Sequence, residues 1–233
     1  MIAILTLVGP DRGGAEGART VVEVLNIRND RQHITFDDKP TTDYTIDNSG
    51  VLVATVDRSA SFLLYSFDNA VPVSTVQWEW RNTGTPNLLS AEHEESKDGD
   101  DAQLRIGLVI HGDPPGVVAA FAPAWIKQVS EHLKLTTNAM LFLISGSKHA
   151  DGDTWTSPYF KRITHRAVMG TPGPDGWSRS SVTFAEGHAV VGVWLMADGD
   201  NTNARFKTQL RNLMLQGAAE NVQEEFANES EQK

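Results

Sequence analysis

Residues 102–111, AQLRIGLVIH, decide how this chain folds. Leu104, Ile106, Leu108 and Ile110 fall on one side of an extended segment, while Gln103, Arg105 and His111 fall on the other. That period of two belongs to a β-strand with distinct faces and has no use in a helix. Residues 189–196 read AVVGVWLM, apolar at both phases, which predicts a central strand covered on both sides, with the helix as a candidate cover. Outward from these two stretches, apolar runs of four to eight residues, rich in Val, Ile, Thr and aromatics, alternate with clusters of Asp, Asn, Gly, Pro and Ser. They predict about eleven strands: Val21–Ile27, His33–Phe36, Val51–Val56, Ser61–Phe67, Thr75–Arg81, Ala102–His111, Met140–Ile144, Lys161–Val168, Trp177–Phe184, Ala189–Met196 and Phe206–Leu215. One stretch departs from the pattern. Between Val117 and Leu135 the residues Ala119, Ala122, Trp125, Ile126, Val129 and Leu133 recur near helical spacing. The reading is therefore all-β: a jelly-roll-like antiparallel β-sandwich with one short helix.

The chain has 233 residues, enough for one large domain with appendages. We divide it into an N-terminal segment (1–20), a β-sandwich domain (21–217) and an acidic C-terminal tail (218–233). The first segment opens with the apolar MIAILTLV, which reads as a signal remnant, a partner-binding arm or an ordinary first strand; no basic region precedes it. The formal net charge of −10 argues against nucleic acid as a partner. Two segments hold most of it: 91–101 (AEHEESKDGDD) has a balance of −5 and 218–233 a balance of −4, leaving the body nearly neutral. The absence of cysteine excludes disulfides, thiolate metal sites and cysteine nucleophiles. No apolar run approaches the roughly 20 residues of a membrane-spanning helix.

Three Asp-Gly-Asp tripeptides occur, at Asp98–Asp100, Asp151–Asp153 and Asp198–Asp200. Each is ordinary turn chemistry when taken alone. Asp98–Asp101, however, opens one strand and Asp198–Thr202 closes another. If those strands are antiparallel neighbours, Asp98, Asp100, Asp101, Asp198, Asp200 and Asn201 converge, and the expected metal is Ca²⁺. So many carboxylates together require a cation, hydrogen-bond donors or raised pKa values. The loop after Asp198 is not an EF-hand, because Asn203 and Gln209 stand where that motif needs Gly and Glu. In Trp78-Glu79-Trp80-Arg81, alternation puts both indoles on one face, read as core, with Glu79 and Arg81 opposite. Trp155 and Trp177 lie in loops rich in Gly, Pro and Asp and are the candidates for an exposed ligand platform, with Arg81 and Arg105 as polar contacts. The seven histidines show no metal-ligand spacing, and no nucleophile elbow, P-loop or dinucleotide fingerprint is present. The acidic loops could supply a glycosidase carboxylate pair, but the sequence gives no separation between them.

The set Trp78-Glu79-Trp80-Arg81, Lys97-Asp98-Gly99-Asp100-Asp101 leading to Arg105, and Asp198-Gly199-Asp200-Asn201-Thr202 resembles the bacterial domain-of-unknown-function family 3047. Thr42-x-Tyr44 and Ser59-Ala60-Ser61 are similar too, so the likeness runs from about residue 33 to 215. The resemblance implies a single all-β domain, usually exported, with no established activity. It marks Asp100, Asp101, Arg105, Asp198, Asp200, Asn201 and Thr202 as family positions without giving their role. The family's aromatic pair in the middle strand stands here as Leu141–Ser145 (LFLIS).

These readings favour a non-catalytic binding or accessory domain whose ligand is a glycan or a protein surface, Ca²⁺-assisted. The alternative is a structural accessory subunit of a larger periplasmic or membrane-associated assembly, its terminal segments docked on a partner. A glycan-acting enzyme comes third. The expected location is periplasmic or exported, with cytoplasmic as the alternative.

Overall fold

The computed structural model describes residues 5–7, 19–27, 30–113 and 124–218. The strands are β1 Leu5–Leu7, β2 Arg19–Glu23, β3 Arg31–Thr35, β4 Asp43–Ile46, β5 Leu52–Asp57, β6 Ser61–Thr83, β7 Ala102–His111, β8 Thr137–Ser145, β9 Thr154–Thr156, β10 Ile163–Val168, β11 Thr171–Pro172, β12 Ser178–Asp198 and β13 Arg205–Ala218. The helices are α1 Ala91–Glu94, a single turn, and α2 Ala124–His132. Residues 1–4, 8–18, 28–29, 114–123 and 219–233 lie outside the described residues. So do most of the expected N-terminal segment, residues 117–123 of the expected helix and all but the first residue of the acidic tail.

The strands form one sheet in the order β1-β2-β13-β6-β12-β7-β8-β10-β9, with β3 on β6, β4 on β5, β5 on β13 and β11 on β12. Every described pair is antiparallel except β8 with β10. β6 and β12 run side by side from Trp80 opposite Ser178 to Phe62 opposite Met196, and their register shifts after Thr183 and after Val190. β13 continues the sheet beside one half of this ribbon. β3 and β7 flank the other half. The two halves close on a shared core, in which Val76, Trp78, Trp80, Leu210 and Leu215 meet Leu63, Tyr65, Leu104, Ile106, Leu108, Leu143 and Leu195. Hydrogen bonds cross between the layers, from Trp78 Nε1 to Ser145 Oγ at 3.0 Å and from Thr208 Oγ1 to the Gln103 carbonyl at 2.7 Å. The chain is thus an all-β sandwich, as the two-residue period of β7 predicts.

β12 is the central strand its composition predicts, with one refinement. The bulge after Val190 shifts the alternation, so Val190, Val193 and Leu195 enter the shared core while Val191, Trp194 and Met196 face a second cluster on the other side. That cluster holds Ile34, Phe62, Leu64, Val109, Phe142 and Val129 of α2. Gly192 leaves room there: a Cβ would stand 3.1 Å from Leu133 Cδ2 and closer still to the Tyr65 carbonyl.

Two pairs of expected strands are single long ones. Ser61–Phe67 and Thr75–Arg81 are parts of β6, and Trp177–Phe184 and Ala189–Met196 are both covered by β12. Turn-forming residues such as Asp68-Asn69 and Glu186-Gly187 stay extended because they lie beside register irregularities, where an unpaired residue or a proline such as Pro72 is tolerated. The short strands β1, β4, β9 and β11 and the one-turn helix α1, capped by Ser90 Oγ accepting from the His93 N–H at 3.2 Å, carry too little periodicity to be read from sequence.

Candidate functional site

Ala102 begins β7 and Asp198 ends β12, and the two residues lie opposite each other in an antiparallel pair. The loops 98–101 and 198–202 therefore leave the sheet at the same end. Asp101 accepts the Asn201 and Thr202 N–H groups on its two oxygens at 3.2 and 2.7 Å. Asn201 Nδ2 donates to the Asp100 carbonyl at 3.2 Å, and the Ala102 N–H donates to Asp198 Oδ1 at 3.0 Å. Glycine serves these loops by leaving space. A Cβ on Gly99 would collide with the His93 carbonyl, and one on Gly199 would stand 2.9 Å from Val56 Cγ1. The third tripeptide is different in kind: Gly152 has φ +86° with open space around it, Asp151 accepts from the Met169 N–H and Asp153 from the Ala150 N–H. It is a self-capped turn.

Cations of the chain itself enter the cluster. Arg105, only 6% exposed, donates through Nη2 to Asp100 Oδ1 at 3.0 Å and lies 3.6 Å from Asp198 Oδ2. Lys39, from the β3–β4 connection, places Nζ 2.7 Å from Asp200 Oδ2. Asp98 is exposed and stands apart from these contacts. Burial pushes the carboxyls of Asp100 and Asp101 upward and that of Asp198 well upward, with neighbouring carboxylates adding to the effect. For Arg105, burial works downward, but Asp100, Asp198 and Asp101 together outweigh it and the guanidinium stays charged. Among the described residues, Asp101, Asp198 and Asp200 bring carboxylate oxygens within 4.8 Å of one another and are the set that could hold a metal. Each already has a protein donor on it.

Beside the charged cluster opens a cleft of about 310 Å³. Trp194 of β12 stacks on Phe62 with ring centres 3.3 Å apart. Trp125 of α2 and Phe142 of β8 stand edge-on to Trp194 at 5.7 and 5.5 Å. Phe160 stands edge-on to Trp125 at 5.6 Å, and Tyr159 and Phe160 remain 49% and 38% exposed at the cleft. Gly107 pairs with Trp194 on one side and Phe142 on the other, and a Cβ there would overlap the Phe142 ring. The Arg105 guanidinium lies 5.3 Å from the centre of that ring. Asp38, Lys39, Asp100, Arg105, Asp198, Asp200 and Asn201 supply charged and polar groups to the same lining.

Of the expected ligand contacts, Arg105 lines the cleft, while Trp155, Trp177 and Arg81 do not. The exposed-platform reading of the two tryptophans is corrected, since Trp155 is 7% and Trp177 4% exposed. Trp155 stacks on His149 at 4.1 Å and meets His165 edge-on at 5.2 Å. Trp177 carries two guanidiniums over its ring, Arg81 at 4.5 Å and Arg211 at 4.1 Å. Gly- and Pro-rich surroundings made these rings look like loop residues in solvent, but Trp155 lies within β9, paired opposite His165 of β10, and Trp177 directly precedes β12. Trp78 and Trp80 are buried, as their alternation predicts. The residues missed by sequence are Lys39, Trp125, Phe142, Trp194, Tyr159 and Phe160. One signal was present: Arg105 and Gly107 share the second phase of β7, and the LFLIS stretch does supply an aromatic ring, Phe142, to that face.

No curated protein matches the chain. Solved structures to which it is similar include an exo-beta-agarase, at 9% identity and TM-score 0.28, covering 83% of this chain and 24% of the agarase chain. Another is the Emp47p carbohydrate recognition domain, at 13% identity and TM-score 0.26, covering 82% of this chain and 93% of that one. The chain spans about a quarter of the agarase's length. The family model described as "Protein of unknown function (DUF3047)" matches residues 30–214, the span that holds β3 to β12, most of β13, the two acidic loops and the cleft, and the chain belongs to that family.

Proposed function

We propose that the domain is a glycan-binding module and that the cleft beside the acidic loops takes one sugar residue. The observation that carries this reading is the lining of the cleft, which combines the aromatic rings of Trp125, Phe142, Tyr159, Phe160 and Trp194 with charged hydrogen-bonding groups. A sugar ring answers both kinds of group: its C–H face packs on aromatic carbon, and its hydroxyls both donate to carboxylates and accept from a guanidinium. A volume of about 310 Å³ suits one ring of a chain, at the small end of ligand sites. Tyr159 and Phe160, exposed at the same cleft, offer further apolar surface to a neighbouring residue of a glycan.

The test is a glycan array probed with the full-length protein, followed by calorimetry on the best ligand with the wild type and Trp125→Ala. Trp125 is partly exposed on α2, and its loss should weaken binding about tenfold, one aromatic contact's worth. A blank array, or an unchanged affinity in the variant, overturns the proposal.

A further inference from the structure

The carboxylates that line the cleft are Asp38, Asp100, Asp198 and Asp200, and the cations are Lys39 and Arg105, four against two. Amines of the protein already sit at this place, Lys39 on Asp200 at 2.7 Å and Lys97 over the Tyr159 ring at 5.4 Å. A carboxylate or sulfate on the ligand would meet repulsion here, while an ammonium would gain both a carboxylate and aromatic faces. The site also asks for oxygen. Arg105 and Trp194, each more than nine-tenths buried, line the same cleft and keep the Nε and Nε1 N–H groups without an acceptor. A ligand that answers both demands carries hydroxyl oxygens next to a positive charge.

Building on the glycan reading, we infer that the sugar residue bound in this cleft bears a free amine, its ammonium placed at Asp200 in competition with Lys39 and its hydroxyls turned toward Arg105 and Trp194. Lys39 is then an internal stand-in for the ligand's amine. Its removal should favour binding, whereas a lysine that merely helps to hold the ligand would weaken binding when lost.

Calorimetry on the full-length protein with equal-length oligomers of glucosamine, N-acetylglucosamine and galacturonic acid tests this. The glucosamine oligomer should bind about tenfold tighter than its N-acetylated counterpart, and the galacturonate not at all. Asp200→Asn should remove that preference, and Lys39→Ala should tighten glucosamine binding severalfold; melting curves confirm that both variants fold. Equal or tighter binding of the neutral or acidic oligomer overturns the amine inference and leaves the glycan reading standing, as does weaker glucosamine binding by Lys39→Ala. If none of the three oligomers binds and the array is blank, the glycan reading falls and the inference with it.

Discussion

His165 gives the sharpest quantitative handle on the layer beneath the cleft. Its ring is 1% exposed, edge-on to Trp155 at 5.2 Å and tilted against Phe142 at 5.5 Å, and Nε2 has no partner. Burial, reinforced by the nearby charges of Arg105 and His149, holds its pKa down at about 2, against 6.5 in the unfolded chain. As pH falls below about 6.5 the unfolded chain takes up this proton and the folded protein does not, so stability drops with falling pH across that window. Each pH unit costs about 1.4 kcal/mol, so moving to about pH 4.5 removes about 3 kcal/mol, a large part of a typical domain's 5–15 kcal/mol. The raised carboxyls of Asp100, Asp101 and Asp198 act in the opposite sense: they bind protons in the folded state before the unfolded state does, which favours folding as pH falls toward the ordinary carboxylate range. The wild-type pH profile alone therefore mixes two signs. His165→Phe keeps a ring of similar size and leaves the carboxyls in place. Urea unfolding of both proteins at about pH 7 and about pH 4.5 should show the variant losing about 3 kcal/mol less than the wild type on acidification. Equal losses in the two proteins would refute the argument that a buried neutral imidazole dominates this window.

Two further outcomes follow from the same geometry. Gly107→Ala drives a Cβ into the Phe142 ring and should cost about 1–3 kcal/mol, read as a lower Tm; an unchanged Tm would mean the ring yields freely. Lys39→Met removes a partly exposed ion pair worth less than about 1 kcal/mol, so Tm should hardly move. The same variant uncovers Asp200, so Ca²⁺ affinity measured by calorimetry should rise above that of the wild type; no rise would show that Lys39 is not what competes with a metal there.

The sequence made the sandwich legible where a face stays in phase for a whole strand, as in β7, or where both faces are covered, as in β12. It hid the long strands, because a register shift lets Glu186-Gly187 or Asp68-Asn69 remain extended while reading as a turn. The meeting of the acidic loops was legible because it needs only one topological condition, that β7 and β12 pair antiparallel. The aromatic walls were not, since Trp125, Phe142, Trp194 and Phe160 come from four separated segments and each one alone reads as core. Trp155 and Trp177 show the converse error: local composition told of loops, but Trp155 belongs to the three-residue strand β9 and Trp177 abuts β12, and pairing of so short a segment is a tertiary matter.

The acidic loops also show that carboxylates close together in sequence take up different tasks in the fold. Asp101 spends both oxygens on the N–H groups of Asn201 and Thr202, and Asp198 spends one on the N–H of Ala102. These bonds tie the end of β7 to the end of β12, and breaking them would strand buried carboxylates without partners. Asp101 is therefore absent from the cleft lining, and Asp198 lines it while also acting as a brace. Asp100 and Asp200 line the cleft, the first paired with Arg105 and the second with Lys39. The guanidinium between Asp100 and Asp198 cannot leave without exposing two buried charges, whereas the lysine on Asp200 sits on a partly exposed side chain and can exchange. Of the six residues first grouped as one cation site, only Asp200 thus combines access from the cleft with a replaceable partner, which is why an incoming positive charge should be read there.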